Sequence, residues 1–122
     1  MSDLRFNVAK TIASSGNVAN ATATATIPAI PGKITYLSGL MITGAGATAG
    51  AVVNPTITGL SGGTVTLTYT SATGAAVGNA PLFLDFDPDL PASAPNTAIV
   101  VSCPALGTGN TNNTVIAWGY QI

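Results

Sequence analysis

Period-two alternation of apolar and polar residues runs through most of this chain, and helical spacing is weak throughout. Leu4-Arg5-Phe6-Asn7-Val8 alternates. So does Ala19 to Thr26, which places Thr22, Thr24 and Thr26 on one face before Pro28 and Pro31-Gly32 end the run. Lys33 to Thr43 predicts a longer strand through Ile34, Tyr36, Leu37, Leu40 and Ile42, with a bulge at Gly39. Val52 to Leu60 is a further run, with Pro55 marking an edge or a break, and Gly62-Gly63 predicts a turn. Thr64 to Thr70 sets Val65, Leu67 and Tyr69 against four threonines, the pattern of a half-buried strand.

Further on, Leu82, Leu84 and Phe86 alternate inward, and the three prolines between Asp87 and Asn96 predict a loop. Thr97 to Cys103 is continuously apolar enough for the middle of a sheet. Gly107 to Asn113 reads as a loop. Ile116, Trp118, Tyr120 and Ile122 share one face of a last strand, expected to point into the core. About eight short antiparallel strands at this spacing predict an all-β, single-domain β-sandwich, with a jelly roll as first choice. Residues 1–16 hold three of the seven charges and are expected to form an extended N-terminal arm, with residues 17–122 as the sandwich body.

Charge changes the picture most. Only 6% of the 122 residues are charged, namely Asp3, Arg5, Lys10, Lys33, Asp85, Asp87 and Asp89, against about 25% in ordinary domains. Disorder is not the reason, because 47% of the chain is hydrophobic and the net charge is only −1. A monomer of this mass exposes roughly 6,000 Å², so each charge would serve about 850 Å² of surface. That is thin cover for a free protein, and the expectation is that neighbouring subunits or a larger assembly cover much of it. With no histidine, imidazole catalysis and imidazole metal sites are excluded. Three cations are too few for a basic nucleic-acid face, and the dearth of Glu, Lys, Arg and Gln excludes a coiled coil.

Candidate chemistry is sparse. Cys103 is the single cysteine, so it forms no intrachain disulfide and is expected to pack as a small apolar residue. Gly44-Ala45-Gly46-Ala47-Thr48-Ala49 matches a relaxed dinucleotide fingerprint, but no helix pattern or suitably placed acid follows it. Asp85, Asp87 and Asp89 form the one carboxylate cluster. Calcium is the chemistry this spacing suggests, yet an EF-hand would need a glycine and a glutamate that are missing. Acids alternating on one strand also stand side by side, not across a cleft as glycoside hydrolysis requires. Rows such as Thr22-x-Thr24-x-Thr26 resemble ice-binding ladders, although the solvent side of a strand explains them as well. Trp118 and Tyr120 suggest a sugar-stacking pair, against which stands a core-facing strand. The uncharged stretch from Ile34 to Val53 is interrupted by Gly and Ala, so no membrane span is expected, and Met1 to Arg5 has no apolar run behind its basic residue, so no secretory signal is expected there.

Several phrases resemble small structural proteins of tailed bacteriophages: Ser38-Gly39-Leu40-Met41-Ile42-Thr43-Gly44, Thr58-Gly59-Leu60-Ser61-Gly62-Gly63-Thr64, Pro91-Ala92-Ser93-Ala94-Pro95-Asn96-Thr97-Ala98, and Ala117-Trp118-Gly119-Tyr120-Gln121-Ile122. The resemblance spans Tyr36 to Ile122 and implies a head decoration (cement) protein. Such a protein would be made in the host bacterial cytoplasm and sit on the capsid surface of the virion, commonly as a homotrimer. Its implied partners are the major capsid protein lattice and further copies of itself, with no nucleic acid, no membrane, no cofactor, no metal and no catalytic residues. The alternative is a receptor- or glycan-binding module of a head or tail fibre. In the decoration reading, Leu4, Arg5, Phe6, Val8 and Lys10 are the expected partner-binding residues, carried on the arm.

Overall fold

The alternating runs become ten strand segments in the computed structural model, which describes residues 10–122. They are β1 (Thr11–Ser14), β2 (Ala23–Ile27), β3 (Thr35–Ala45), β4 (Val52–Val53), β5 (Thr56–Thr58), β6 (Val65–Thr66), β7 (Tyr69–Thr70), β8 (Leu82–Pro91), β9 (Ile99–Cys103) and β10 (Asn112–Gln121). Among the described residues there is no helix. One sheet has the order β1-β10-β3-β8 and the other β2-β9-β5-β6, while β4 and β7 pair as a two-stranded ribbon. All pairings are antiparallel.

The four short segments belong to a single bent hairpin. Val52 faces Thr70, Val53 faces Tyr69, Thr56 faces Thr66 and Ile57 faces Val65, so one register runs through both pieces. The ladder breaks where Pro55 has no N–H to give. Leu67 N donates to Pro55 O (2.7 Å) and Asn54 Nδ2 donates to Leu67 O (3.0 Å), which holds the bend. The single strand expected over Thr64–Thr70 is therefore two pieces in different sheets, with Val65 exposed and Tyr69 buried. Counting each arm of the hairpin once leaves eight strands. One sheet then holds the first, eighth, third and sixth, and the other the second, seventh, fourth and fifth. Two packed four-stranded sheets in this order make a jelly-roll sandwich, as the turn spacing predicted.

The core lies between the sheets. From one side come Leu37, Leu40, Ile42, Val115 and Ala117, and from the other Ala23, Ala25, Ile27, Ile57, Ile99, Val101 and Cys103, all at most 2% exposed. Burial of each large aliphatic side chain here is worth roughly 1.5–3 kcal/mol. Leu82, Leu84 and Phe86 pack against this core as their alternation predicted, and β9 lies in mid-sheet between β2 and β5. The Asp87–Asn96 stretch differs from its expected loop, since β8 continues to Pro91 through the cis Asp87–Pro88 peptide. There a step from Leu37 to Gly39 on β3 matches a step from Leu90 to Asp85 on β8, so the proline segment is absorbed as a wide bulge. On the other side of β3 the register slips at the same place, near the expected Gly39.

The largest difference lies in β10. Its inward residues are Asn113, Val115, Ala117 and Gly119, while Ile116, Trp118 and Tyr120 point away from the core. A Cβ at Gly119 would run into the Tyr36 carbonyl and come within 3.1 Å of Ile27 Cδ1. With Ile27 filling that end of the sandwich, only the small face of β10 fits inside, although its other face is more apolar. Two buried asparagines then order the loops. Asn113 Nδ2 donates to the carbonyls of Ala21, Cys103 and Pro104, and Asn110 Nδ2 donates to those of Ala45 and Asn112.

Cys103 is fully buried, its thiol donates to Pro104 O (3.4 Å), and burial pushes its pKa up from 9.0 to about 11. Tyr69 is raised too, by burial and then by the nearby Cys103. An unfolded chain ionises Cys103 near pH 9 while the folded one keeps it neutral. Its stabilising share is therefore complete below pH 9 and disappears as pH rises towards 11. Thermal melts should show a falling Tm across that interval, shallower in Cys103→Ala. The native thiol should resist alkylation at neutral pH until the chain is unfolded. A native thiol that reacts as fast as the unfolded one would contradict this placement.

Candidate interaction face

The outer surface of the β1-β10-β3-β8 sheet collects the residues that the core leaves out. Ile12 of β1 is 74% exposed and Phe83 of β8 is 57% exposed. Between them lie the half-buried Ile116, Trp118 and Tyr120 of β10 and Tyr36 and Met41 of β3. Trp118 stands opposite Gly39, where an added Cβ would lie 2.5 Å from its Cζ2. The indole can therefore lie across bare backbone and reach Phe83 on the far strand, ring centroids 5.6 Å apart at 38°. Tyr36 stacks on Tyr120 at 5.2 Å and 15°. Such pairs add about 0.5–1.5 kcal/mol beyond their area burial.

An ammonium lies on this face and carboxylates lie at its β8 margin. From beside β1, the exposed Lys10 reaches across the sheet, where its Nζ donates to Ser38 Oγ on β3 (3.1 Å) and lies 4.7 Å from the Tyr120 ring centroid. This is a cation–π contact, worth about 0.5–1 kcal/mol where exposed. On the β8 side, Asp85 and Asp87 are exposed and Asp89 is half-buried. Asp87, Pro88 and Asp89 join Tyr36 and Tyr120 around an open cleft of about 250 Å³. Since β8 is an edge strand, its acids and Pro88 also discourage another strand from adding to it. The opposite sheet presents hydroxyls instead. Thr24 and Thr26 are exposed as expected, and Thr24 shares a hydrogen bond with Ser102 on β9 (3.2 Å). The molecule thus has one aromatic and one hydroxylated outer face.

Of the expected partner-binding residues, the structure places Lys10 with its ammonium over Tyr120 and against Ser38 on the aromatic face, while Leu4, Arg5, Phe6 and Val8 lie outside the described residues. Thr11 to Ser14 pair with β10 and so belong to the body, which shortens the expected 1–16 arm. Among the described residues no group of three His, Cys, Asp or Glu side chains is placed to hold a metal ion. Gly44 to Gly50 carries no helix, so the glycine pattern lacks the helix N-terminus that a dinucleotide needs. No helix among the described residues is long and apolar enough to cross a membrane. Hydrophobicity along β10 predicts Trp118 and Tyr120 inward, which conceals in the sequence the aromatic face that they form outside. The signal that reveals it is the small series Ala117 and Gly119 on the other side of the same strand. No protein-family model matches the chain, and no curated protein matches it either.

The seat of Trp118 is testable. Gly39→Ala should displace the indole and cost about 1–3 kcal/mol in denaturant unfolding, as over-packing does. Because Trp118 is the only tryptophan, its emission should shift to longer wavelength with the substitution. Unchanged emission and an unchanged unfolding midpoint would show that the ring does not lie there.

Proposed function

We propose that this chain is a virion structural protein of a tailed bacteriophage, a decoration protein that binds the assembled head shell and stabilises it as a homo-oligomer. The observation that carries the reading is the exposed aromatic face on a body with almost no charge. Contiguous apolar surface of this kind marks an interaction site. The jelly roll is compatible with it, being common in capsid and lectin domains, but a fold alone does not select a function. Binding only the assembled lattice would stabilise the shell by linkage, and many weak contacts would add through multivalency. Attachment is assigned to the arm, whose Leu4, Arg5, Phe6 and Val8 precede the first described residue, with Lys10 at its root.

Since β1 starts at Thr11, the informative truncation removes residues 2–9. The truncated protein should keep the melting behaviour of the full chain and lose co-sedimentation with capsids that lack the decoration protein. Normal attachment by the folded truncation would overturn the arm assignment.

A second reading gains from the position of Trp118. A flat indole beside Phe83, with carboxylates at the margin, is also a surface on which a sugar ring can stack. A glycan-binding fibre module predicts array binding that Trp118→Ala abolishes without unfolding the protein. Silence of the native protein across the array would remove that reading.

A further inference from the structure

The cleft at the β8 margin sets an aromatic wall against two carboxylates. Its lining is Tyr36, Tyr120, Asp87, Pro88 and Asp89, around a volume of about 250 Å³. Because β3 lies between β10 and β8, Tyr36 is the ring next to the acids, and it stacks on Tyr120 behind it. The wide bulge of β8 lets Asp87 and Asp89 both line this space, with Pro88 between them. Among the described residues no cation pairs with either acid. The Lys10 ammonium is engaged by Ser38 Oγ and the Tyr120 ring, and Lys33 is exposed beside the Pro31-Gly32 turn. Nor is a third His, Cys, Asp or Glu placed to complete a metal site.

The shape of the cleft selects the kind of cation. Ionised carboxylates only accept hydrogen bonds, and a tyrosine face attracts positive charge. A guanidinium is planar, so it can lie flat on Tyr36 while its edge directs paired N–H groups at a carboxylate. An ammonium is compact and more strongly hydrated, and it leaves most of the flat ring uncovered. A neutral sugar could stack on the ring but would gain no ion pair from the acids. The adjoining ring already displays the preference for positive charge, since Tyr120 holds the Lys10 ammonium.

We infer that this cleft receives an arginine side chain, presented by the surface on which the aromatic face docks. Tyr36 and Tyr120 belong to the face and to the cleft alike, so one partner covers the rings and fills the cleft together. The inference rests on the decoration reading for the source of the arginine, which is then a shell subunit, but not for the chemistry of the cleft. It adds a second, weak point of attachment to that of the arm, and many copies on a lattice multiply such contacts.

Arginine amide is the probe. Added to the full chain, it should shift the Tyr36 ring resonances saturably with a Kd of about 1–10 mM, the range that one cation–π contact and a pair of charge-assisted hydrogen bonds allow. Lysine amide at the same ionic strength should bind about tenfold more weakly. Asp87→Asn and Asp89→Asn should each weaken uptake about threefold or more. Asp85→Asn, on the same strand but outside the cleft, should leave it within about twofold. On capsids that lack the decoration protein, the folded Asp87→Asn/Asp89→Asn double variant should need about tenfold more protein for half-saturation. The inference is overturned if arginine amide gives no saturable shift, if lysine amide binds as well, or if Asp85→Asn weakens uptake as much as Asp89→Asn. It is equally overturned if glucose fills the cleft in place of the amide, or if the double variant attaches to capsids normally. A native chain that takes up the amide yet never sediments with capsids sinks the decoration reading, and the shell as source with it, while the chemistry of the cleft stands.

Discussion

The inward face of β10 decides most of what is distinctive in this molecule. A strand in a sandwich can turn either set of alternate residues to the core, and a slip of one residue exchanges them all. Here the space at Gly119 is already taken by Ile27 from the facing sheet and by the Tyr36 backbone alongside, so no side chain fits there, and Ala117 is fully buried one step before it. The consequence is imposed on the other side. Trp118 and Tyr120 go to the surface because their neighbours are small, and once there they need support. Gly39 supplies it for Trp118 and Tyr36 for Tyr120. A steric limit inside the core thus produces the aromatic face outside it.

The rest of the architecture depends on local chemistry at a few bends. Pro55 removes one ladder donor and lets a single hairpin serve the main sheet through β5 and β6, while its far end forms the β4–β7 ribbon. Asn110 and Asn113 do the opposite task, gathering carbonyls from separate segments onto two buried amide groups. Their four N–H groups are shared among five carbonyls, and a hydrogen bond of this kind is worth about 0.5–1.5 kcal/mol, so the two side chains tie these segments together. This explains how a chain with so many Gly, Thr and Asn residues in its connections still closes a well-packed core.

The sequence made the jelly roll legible because strand spacing, the Gly62-Gly63 turn and the continuous apolar run at Ile99–Cys103 are local signals. Ala23, Ala25 and Ile27 against Thr24 and Thr26 also resolved correctly, since there the polar face has only one place to go. In β10 both faces are uncharged, and hydrophobicity alone favours the wrong one. Size was the decisive variable, and size matters only against the facing sheet, which a single strand does not reveal. The proline-rich stretch after Asp87 misled for a related reason. Pro88 and Pro91 do not fit the middle of a ladder, but β8 is an edge, where a missing donor leaves no neighbour unpaired. Of the expected partner-binding residues only Lys10 falls within the described chain. Its place beside Tyr120 depends on the β1–β10 pairing, and nothing in the local pattern announces it.

Scarcity of charge and the aromatic face belong to one physical argument. A free monomer keeps apart from its fellows by mixed surface charge, and the described part of this chain has only five charged side chains for that task. Asp85 and Asp87 stand on the edge strand, where they oppose strand addition, while the Lys10 ammonium lies between Ser38 and the Tyr120 ring on the same face. The wide areas between carry hydroxyls on one sheet and rings on the other. Hydroxyls remain hydrated at little cost, whereas exposed rings gain by being covered. The β8 carboxylates therefore oppose growth along the sheet edge, and the aromatic surface is the part of the molecule whose removal from water would be most favourable.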